Sequence, residues 1–379
     1  MALEYPSARE VLAPYEPFRA EIRNFIARTP EHVRAGWTKG WAGYDRAFTK
    51  ALGAQGWIGI SWPRIYGGGG RSELERYVLL EELLVAGAPV SAHWLADRQV
   101  GPLLLALGTQ DQKEALLPSI ASGELTFAAG LSEPDSGSDL ASIRTAGTRV
   151  PGGWRVNGRK IWSSNATRAE MMLALVRTEP GSRRHDGLSQ FLIPLDAPGV
   201  VIRPIQQVSG DDDFAEVTFD DVFVDDGHVV GVVGEGWRQV TMELGLERSG
   251  PERFLASFQL IAVMVEHLGT QSGAMAWAEI GRLIAHLATL RSLSVAVAAR
   301  LDAGEPVNLE ASVVKDLGAM LDQTVPEVAR RLLIENERAL APPTRALLDT
   351  KILMNPLASI QGGTRQVLRS IIARGMGLR

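Results

Sequence analysis

The stretch Gly130–Asp139 holds the densest group of residues that could bind a ligand, Gly-Leu-Ser-Glu-Pro-Asp-Ser-Gly-Ser-Asp. A turn of small and hydroxyl residues exposes backbone N–H groups, which bind polar rings and phosphates. Alone, it is better explained as a β-turn in which Asp and Ser cap the next segment. A second stretch, Gly158–Ala166, follows about one hairpin later and brings Trp162 and Ser164 within reach of the first turn. Together the two stretches indicate a binding surface for a flat cofactor, with Trp162 packed against the cofactor ring.

The spacing of apolar residues changes twice along the chain, which indicates three regions that must position these turns. Apolar residues recur three and four apart before about residue 122, alternate in short runs after it, and return to the helical spacing after about residue 236. The sequence therefore predicts an α+β fold. Its three parts are an N-terminal helical domain (1–122), a central antiparallel β-sheet or barrel domain (123–230) and a C-terminal helical bundle (231–379).

The pattern also predicts individual elements. Helices are expected at 73–84, 103–120, 237–268, 274–302, 309–335, 347–353 and 364–374. Strands are expected at 154–157, 172–176, 190–194, 199–203 and 216–224, with Asn157-Gly158 as a turn between two of them. No helix-length period separates the strands, so a doubly wound dinucleotide-binding fold is excluded.

Composition excludes several function classes. The 379 residues include 39 Lys+Arg and 44 Asp+Glu, a net charge of −5, and no Cys. The acidic balance argues against nucleic-acid and anionic membrane partners, and the absence of Cys excludes disulfides and thiolate nucleophiles. The six His show no ligand spacing, so no metal site is expected. Without a recognisable signal peptide or an apolar run of about 18 residues, the sequence predicts a cytoplasmic protein.

The two turns give the chain a resemblance to the acyl-CoA dehydrogenase family of flavoenzymes. The string Leu-Ser-Glu-Pro-x-x-Gly-Ser-Asp within Gly130–Asp139 is its most specific part. Weaker support comes from other stretches along nearly the full length: 62–68, Ser142, 158–166, 231–237, 362–364 and 371–374. The order helix, sheet, helix agrees with the fold that periodicity predicts independently.

The resemblance implies FAD as the cofactor and a set of residues that bind it. Those residues are Leu131, Ser132, Gly137, Trp162, Ser163, Ser164, Thr364 and Gln366. Leu131 and Ser132 would hydrogen-bond the isoalloxazine ring, and Trp162 to Ser164 would cover its other edge. Thr364 and Gln366 would lie against the diphosphate and adenosine side.

The resemblance also implies the reaction and its partners. An acyl-CoA thioester would lose its α-proton to a carboxylate and its β-hydride to the flavin, which gives a trans-2-enoyl-CoA. Ser138 and Arg248 would contact this substrate. Electrons would leave through an electron-transfer flavoprotein.

The identity of the carboxylate decides whether this chain is catalytic. Many family members place Glu directly before the C-terminal Gly-Thr, where this chain has Gly362, whose N–H could still serve the thioester oxygen. A minority use a Glu on the helix that opens the last bundle, and the register Leu-Glu-Arg then gives Glu247 as base. Glu243, one turn earlier, is the second candidate. Glu252 would point about 140° away on a continuous helix.

Pro251 leaves two interpretations of this helix open. It lacks the N–H that would bond the carbonyl of residue 247, so the helix either kinks beside Glu247 or ends there and restarts. A kink would give room to a bulky acyl group.

The predicted assembly follows from two missing motifs. Family homotetramers carry Arg-x-x-Phe-Gly and Gln-x-x-Gly-Gly elements that complete a neighbour's FAD site, and 268–346 contains neither. The chain resembles the base-bearing subunit of bacterial α2β2 enzymes for steroid side-chain thioesters, so a homo- or heterotetramer is expected. The alternatives are a half-site or non-catalytic subunit and a flavin oxidase or monooxygenase on the same scaffold.

Overall fold

The computed structural model describes residues 7–248, 250–268, 273–334 and 340–378, without the side chains of 246, 247 and 334. Within these ranges the residues form two compact units. The first unit combines the described parts of 1–43, 71–90 and 247–379, and the second combines 44–70 and 91–246. The helical first third of the chain therefore contributes to both units. The predicted boundaries of an N-terminal helical domain, 1–122, stay a prediction.

The second unit contains a sheet preceded by four helices and followed by one. The helices are α4 (Arg46–Ala54), α6 (Ser91–Leu95), α7 (Gly101–Leu107), α8 (Gln110–Ala121) and α9 (Gly236–Glu247, whose last residue begins the other unit). The strands are β1 (Phe127–Gly130), β2 (Ala146–Val150), β3 (Gly153–Ser164), β4 (Met171–Arg177), β5 (Leu188–Pro194), β6 (Val200–Ile205), β7 (Phe214–Asp225) and β8 (Val229–Val230). A π-helical turn, Ala96–Val100, joins α6 to α7.

The sheet is mostly antiparallel and is not closed into a barrel. Its strand order is β6-β7-β3-β2-β4-β5-β8, and β1 pairs with β4 in parallel. One face buries alternate apolar residues of β3, β4, β5 and β7, among them Trp154, Phe191 and Phe219. The predicted fold class is confirmed, with the open sheet rather than the barrel.

Strand β3 corrects one predicted turn. Asn157-Gly158 lies inside the strand, where the pairing with β7 shifts register between Val156 and Gly158. The Asn157 side chain accepts the Asp221 N–H at 2.8 Å. Gly158 has φ +149°, and a Cβ there would lie 2.5 Å from the Thr145 hydroxyl. Close backbone approach at a bulge, rather than a hairpin turn, explains the glycine.

Helices 103–120 and 237–268 are each shorter than predicted. Thr109 caps α8 through a capping box with Gln112, which separates α7 from α8. Helix α9 ends at Glu247, a 3-10 turn covers Pro251–Arg253, and the next helix starts at Phe258. The interpretation in which Gly250-Pro251 ends one helix is therefore confirmed. The angle of about 140° between the Glu247 and Glu252 side chains was wrong, because it assumed one continuous helix through both residues.

The first unit is helical. Its helices are α1 (Ala8–Leu12), α2 (Glu16–Arg28), α3 (Glu31–Arg34), α5 (Glu73–Val85), α10 (Phe258–Leu268), α11 (Ala274–Asp302), α12 (Asn308–Ile334), α13 (Pro342–Met354) and α14 (Arg365–Gly375). Helix α11 matches its prediction at both ends and packs against α5, α10 and α12. By length and composition α11 could cross a membrane, a weak signal because the core helix of a soluble bundle passes the same test.

Candidate functional site

The predicted ring-binding turn is a tight loop held by its own backbone. The Glu133 N–H donates to the Ser136 carbonyl at 2.7 Å, and the Ser136 N–H donates back to the Glu133 carbonyl at 3.0 Å. The Ser136 hydroxyl donates to the Asp139 carbonyl at 2.6 Å. Gly137 and Ser138 are exposed at the tip of this loop. A Cβ at Gly137 would meet no atom within 4 Å, so the tip faces open space.

The structure brings the two sequence motifs of the second unit into direct contact. The Ile161 N–H donates to the Ser132 carbonyl at 2.9 Å. The Lys160 ammonium donates to the Leu131 carbonyl at 3.1 Å. The loop that follows β1 therefore rests on β3 at Lys160 and Ile161, just before Trp162. The approach of Trp162 and Ser164 themselves to this turn stays a prediction.

A buried ion pair lies beneath this contact. Lys160 Nζ is 2.9 Å from Glu133 Oε1, and the Lys160 side chain is 0% exposed. Burial lowers the pKa of Lys160 to about 8, against the opposing effect of Glu133. Burial raises the pKa of Glu133, but Lys160 and the hydrogen bonds from Thr145 and Arg144 outweigh it and leave that pKa below its usual value. Both groups are thus held charged at neutral pH.

Trp162 occupies a strained position beside the turn. Its φ is +60°, a left-handed conformation that an aromatic residue rarely adopts, within the register shift between Lys160 and Ser163. The indole is 56% exposed and meets the Phe214 ring edge-on at 6.1 Å between centroids. Strain of this kind persists at functional sites because the surrounding structure imposes it. The irregular pairing of β3 at this point therefore leaves the Trp162 ring exposed to solvent, near Ser132.

The neighbouring serines differ in exposure. Ser164 is half-buried, whereas Ser163 is 1% exposed, and its buried hydroxyl has no hydrogen-bond partner among the described residues. A water or a ligand can complete the bonding of a buried polar atom of this kind. Leu131 is half-buried against a small apolar cluster that includes Ile143 and Val240.

The first unit carries the remaining predicted residues on a glycine turn. Gly362 and Gly363 have φ of +70° and +106°, conformations that favour glycine. Thr364 caps α14 by accepting the Val367 N–H at 3.4 Å, and Gln366 is exposed in the first turn of that helix. A helix N-terminus with its hydroxyl cap suits the phosphates of a dinucleotide.

Arg248 contacts this glycine turn directly. Its guanidinium Nε donates to the Gly362 carbonyl at 3.1 Å, and the side chain is buried. The structure thus assigns Arg248 a backbone contact within the first unit, and its contact with substrate stays a prediction.

The three candidate carboxylates occupy different environments. Glu243 is buried and accepts from the Gln190 side chain of β5 at 2.8 Å. Glu252 is buried in the 3-10 turn, 3.5 Å from the guanidinium of Arg253. Glu247 ends α9, and its side chain lies outside the described part of the structure, so its role as base stays a prediction.

Among the described residues, no group of three or more His, Asp or Glu side chains is arranged to hold a metal ion.

Comparison with known families identifies the chain. Residues 15–124 match the acyl-CoA dehydrogenase N-terminal domain, and residues 128–222 match the acyl-CoA dehydrogenase middle domain. The chain belongs to the acyl-CoA dehydrogenase family. The resemblance inferred from the two turns and the predicted enzyme class, an oxidoreductase of the acyl-CoA dehydrogenase type, are confirmed.

Named relatives of this family come from mycobacteria. The acyl-CoA dehydrogenase IpdE1 of Mycolicibacterium smegmatis is 32% identical over 96% of this chain and 97% of its own length. IpdE1 of Mycobacterium tuberculosis is 40% identical over 62% of this chain, a match that spans 63% of that relative.

Solved structures agree with the sequence relatives. A "Tcur3481-Tcur3483 steroid ACAD" superposes with a TM-score of 0.87 at 29% identity, covering all of both chains. The ChsE4-ChsE5 complex from Mycobacterium tuberculosis gives a TM-score of 0.82 at 28% identity, again over the full length of both chains.

Two residues at the contact between the motifs were not singled out from the sequence. Glu133 and Lys160 stand inside the two motifs, yet neither was given a role. A signal was present for Lys160: it lies on the same alternation as Val156 and Gly158, the phase of β3 that faces inward. A lysine on a buried phase must be paired, and this requirement points to a nearby carboxylate.

Proposed function

We propose that the protein is an FAD-dependent acyl-CoA dehydrogenase that converts an acyl-CoA thioester to the trans-2-enoyl-CoA. The observation that carries this proposal is the contact between the two motifs, in which the Ile161 N–H meets the Ser132 carbonyl beside the exposed face of Trp162. Family membership supplies the reaction class, and the contact supports the proposal because it joins the two motifs that are expected to bind the ring.

The residues present suit FAD. Leu131, Ser132 and Trp162 would hold the ring, since they offer backbone amides and an aromatic face. The buried Ser163 hydroxyl needs a partner. Thr364 and Gln366 would hold the diphosphate at the N-terminus of α14. When bound, FAD supplies the chemistry of hydride acceptance, which no side chain can perform.

The protein's own chemical task is proton transfer. Glu247 would remove the α-proton, which requires a water-poor setting that raises its pKa. The Gly362 N–H would donate to the thioester oxygen, a role that needs no side chain. The Arg248 contact to the Gly362 carbonyl supports this assignment because it fixes the orientation of the turn.

The experiment compares three variants under anaerobic conditions: Glu247→Gln, Glu243→Gln and Glu252→Gln. Flavin bleaching by a panel of acyl-CoA thioesters is followed in each. The Glu247 variant is expected to bind flavin and lose bleaching by a factor of about 10² to 10⁴, the usual contribution of a catalytic base. The other two should keep bleaching, since Glu243 and Glu252 already contact Gln190 and Arg253. Full bleaching by the Glu247 variant would refute the assignment.

We further propose that the working enzyme is an α2β2 assembly with a second acyl-CoA dehydrogenase-like chain. The two named neighbours are both pairs of different chains. Helix α11 agrees with this proposal, because only 33% of its most apolar stretch is buried within the chain. Trp277 and Ile284 are large apolar side chains on its exposed side. Because the neighbours include a steroid enzyme, steroid-derived thioesters are the first members of the panel.

Co-expression tests the assembly. The chain purified alone should be colourless or poor in flavin. The complex purified after co-expression should be yellow, and its mass should be about four times that of one chain, because an α2β2 assembly contains four chains. Ile284→Glu should prevent the larger species, whereas His286→Glu, on an exposed polar position of α11, serves as the control. Full flavin content in a monomer would contradict the heterotetramer. Production of peroxide during turnover would favour an oxidase instead, and electron transfer to an electron-transfer flavoprotein would favour the dehydrogenase.

A further inference from the structure

We propose that the buried Glu133–Lys160 pair is a positioning device that aims the backbone of the ring-binding turn. The inference rests on the proposed flavin function and deepens it, because it names the residues that set the direction of a ring-binding donor. Neither side chain needs to touch the cofactor for this role.

The pair is a costly way to fill the interior of the second unit. Removing two charges from water is unfavourable, and a well-packed apolar pair of similar size is often equally stable or better. Lys160 is nevertheless 0% exposed and Glu133 8%. A role beyond filling space is therefore needed to explain two charges at this position.

The role lies in the backbone groups that the two side chains contact. Lys160 donates to the Leu131 carbonyl at 3.1 Å. Glu133 accepts the Arg144 N–H at 2.6 Å and the Thr145 N–H at 2.9 Å. The pair thus connects the loop after β1 to the segment that enters β2, and it does so through main-chain atoms of both.

The contact to Leu131 determines where the next amide points. In a planar trans peptide the carbonyl of one residue and the N–H of the following residue point in opposite directions. Lys160 draws the Leu131 carbonyl inward, so the Ser132 N–H is aimed away from the interior. This amide belongs to Ser132, one of the two residues expected to hydrogen-bond the ring.

The first test replaces the lysine. Lys160→Met should raise the dissociation constant for FAD at least tenfold, measured by fluorescence quenching on the full chain with its partner. It should also shift the visible absorption band of the bound flavin, because the ring loses an oriented hydrogen-bond donor. Arg19→Met is the matched control: it removes another buried cation from an ion pair, on α2 in the first unit. It should lower the Tm similarly and leave flavin affinity and spectrum unchanged.

A second variant separates positioning from stability. Lys160→Met with Glu133→Gln removes both charges, so no charge is left buried without a partner, and the Tm should recover most of the loss seen in the single variant. Flavin affinity should remain at least tenfold weaker, since the Leu131 carbonyl still lacks its donor. Recovery of affinity together with Tm would overturn the proposal.

The outcomes distinguish this inference from the proposed function. Tight flavin binding by the wild type and equally tight binding by Lys160→Met refutes the positioning role alone. Failure of the wild type to bind flavin, with and without a partner chain, refutes the proposed function and this inference with it.

Discussion

Each unit of the molecule buries a network of charges, and the two networks contact different kinds of group. In the first unit, Glu81 of α5 forms an ion pair with Arg19 of α2, with 2.8 Å between their nitrogen and oxygen. Glu81 also accepts from Arg291 of α11 at 2.7 Å and from the Tyr77 hydroxyl at 3.2 Å. These contacts join side chain to side chain across three helices. In the second unit, Glu133 and Lys160 also reach backbone carbonyl and amide groups of a loop.

The difference shows that buried charges serve two purposes in one chain. Helices satisfy their own backbone, so the network around Glu81 can only bring helix surfaces together. A loop has backbone groups that need partners, so the pair at Glu133 can set their direction. Flavin binding should therefore respond to the second network and not to the first.

The largest stability loss is expected from breaking the helical network. Glu81→Ala removes the carboxylate that Arg19 and Arg291 share, although Arg19 keeps its ion pair with Glu82. Each lost contact to a charged group is worth about 1.5–3 kcal/mol, and two are lost together. Urea denaturation measures this loss, with flavin affinity in the refolded protein unchanged. Glu327→Ala is the control, because its pair with Arg330 is exposed on both sides and is worth less than about 1 kcal/mol. Equal losses in the two variants would contradict the comparison.

The buried histidine His93 should make stability depend on pH. Burial lowers the pKa of His93 to about 4, while its Nδ1 lies 3.0 Å from the Thr49 hydroxyl. The unfolded chain takes up a proton near pH 6.5 and the folded chain does not, so stability falls as the pH drops from about 6.5 to about 4. The loss is on the order of 3 kcal/mol.

Comparison of His93→Gln with the wild type isolates this effect. The variant removes the titrating group, so the difference in unfolding free energy between the two proteins should change with pH across this window. A difference that is constant from pH 7 to pH 4 would show that His93 has the same pKa in the folded and the unfolded chain, and it would contradict the prediction.

The conformation of the glycine turn in the first unit should depend on the Arg248 guanidinium. Arg248→Met removes a charged donor to the Gly362 carbonyl, worth about 1.5–3 kcal/mol. The rate of flavin reduction should fall by a larger factor than flavin affinity, whereas Lys160→Met is expected to act mainly on affinity. A parallel loss of both quantities would contradict separate roles for the two turns.

The smallest stability effect is expected at Trp162. Asn tolerates a left-handed conformation, so Trp162→Asn relieves strain of about 1 kcal/mol and offsets the lost edge contact with Phe214. The free energy of unfolding should change by less than about 1 kcal/mol, whereas flavin affinity should fall. A stability loss above about 2 kcal/mol would indicate that the indole is structural.

The sequence alone determined the order of elements and the location of the two turns. Apolar spacing of three and four depends on helix geometry, and alternation depends on strand geometry, so both are local properties. Helix α11 was therefore predicted at both ends. The motif Leu-Ser-Glu-Pro-x-x-Gly-Ser-Asp was equally local, and it led to the acyl-CoA dehydrogenase family.

Only the tertiary structure decided how distant segments meet. The parallel pairing of β1 with β4 and the bulge at Gly158 depend on partners that are remote in sequence. The same is true of the contact from Lys160 to Leu131, 29 residues apart. Whether a buried charge is satisfied depends on which backbone atoms the fold brings within about 3 Å, and spacing along the chain cannot specify that distance.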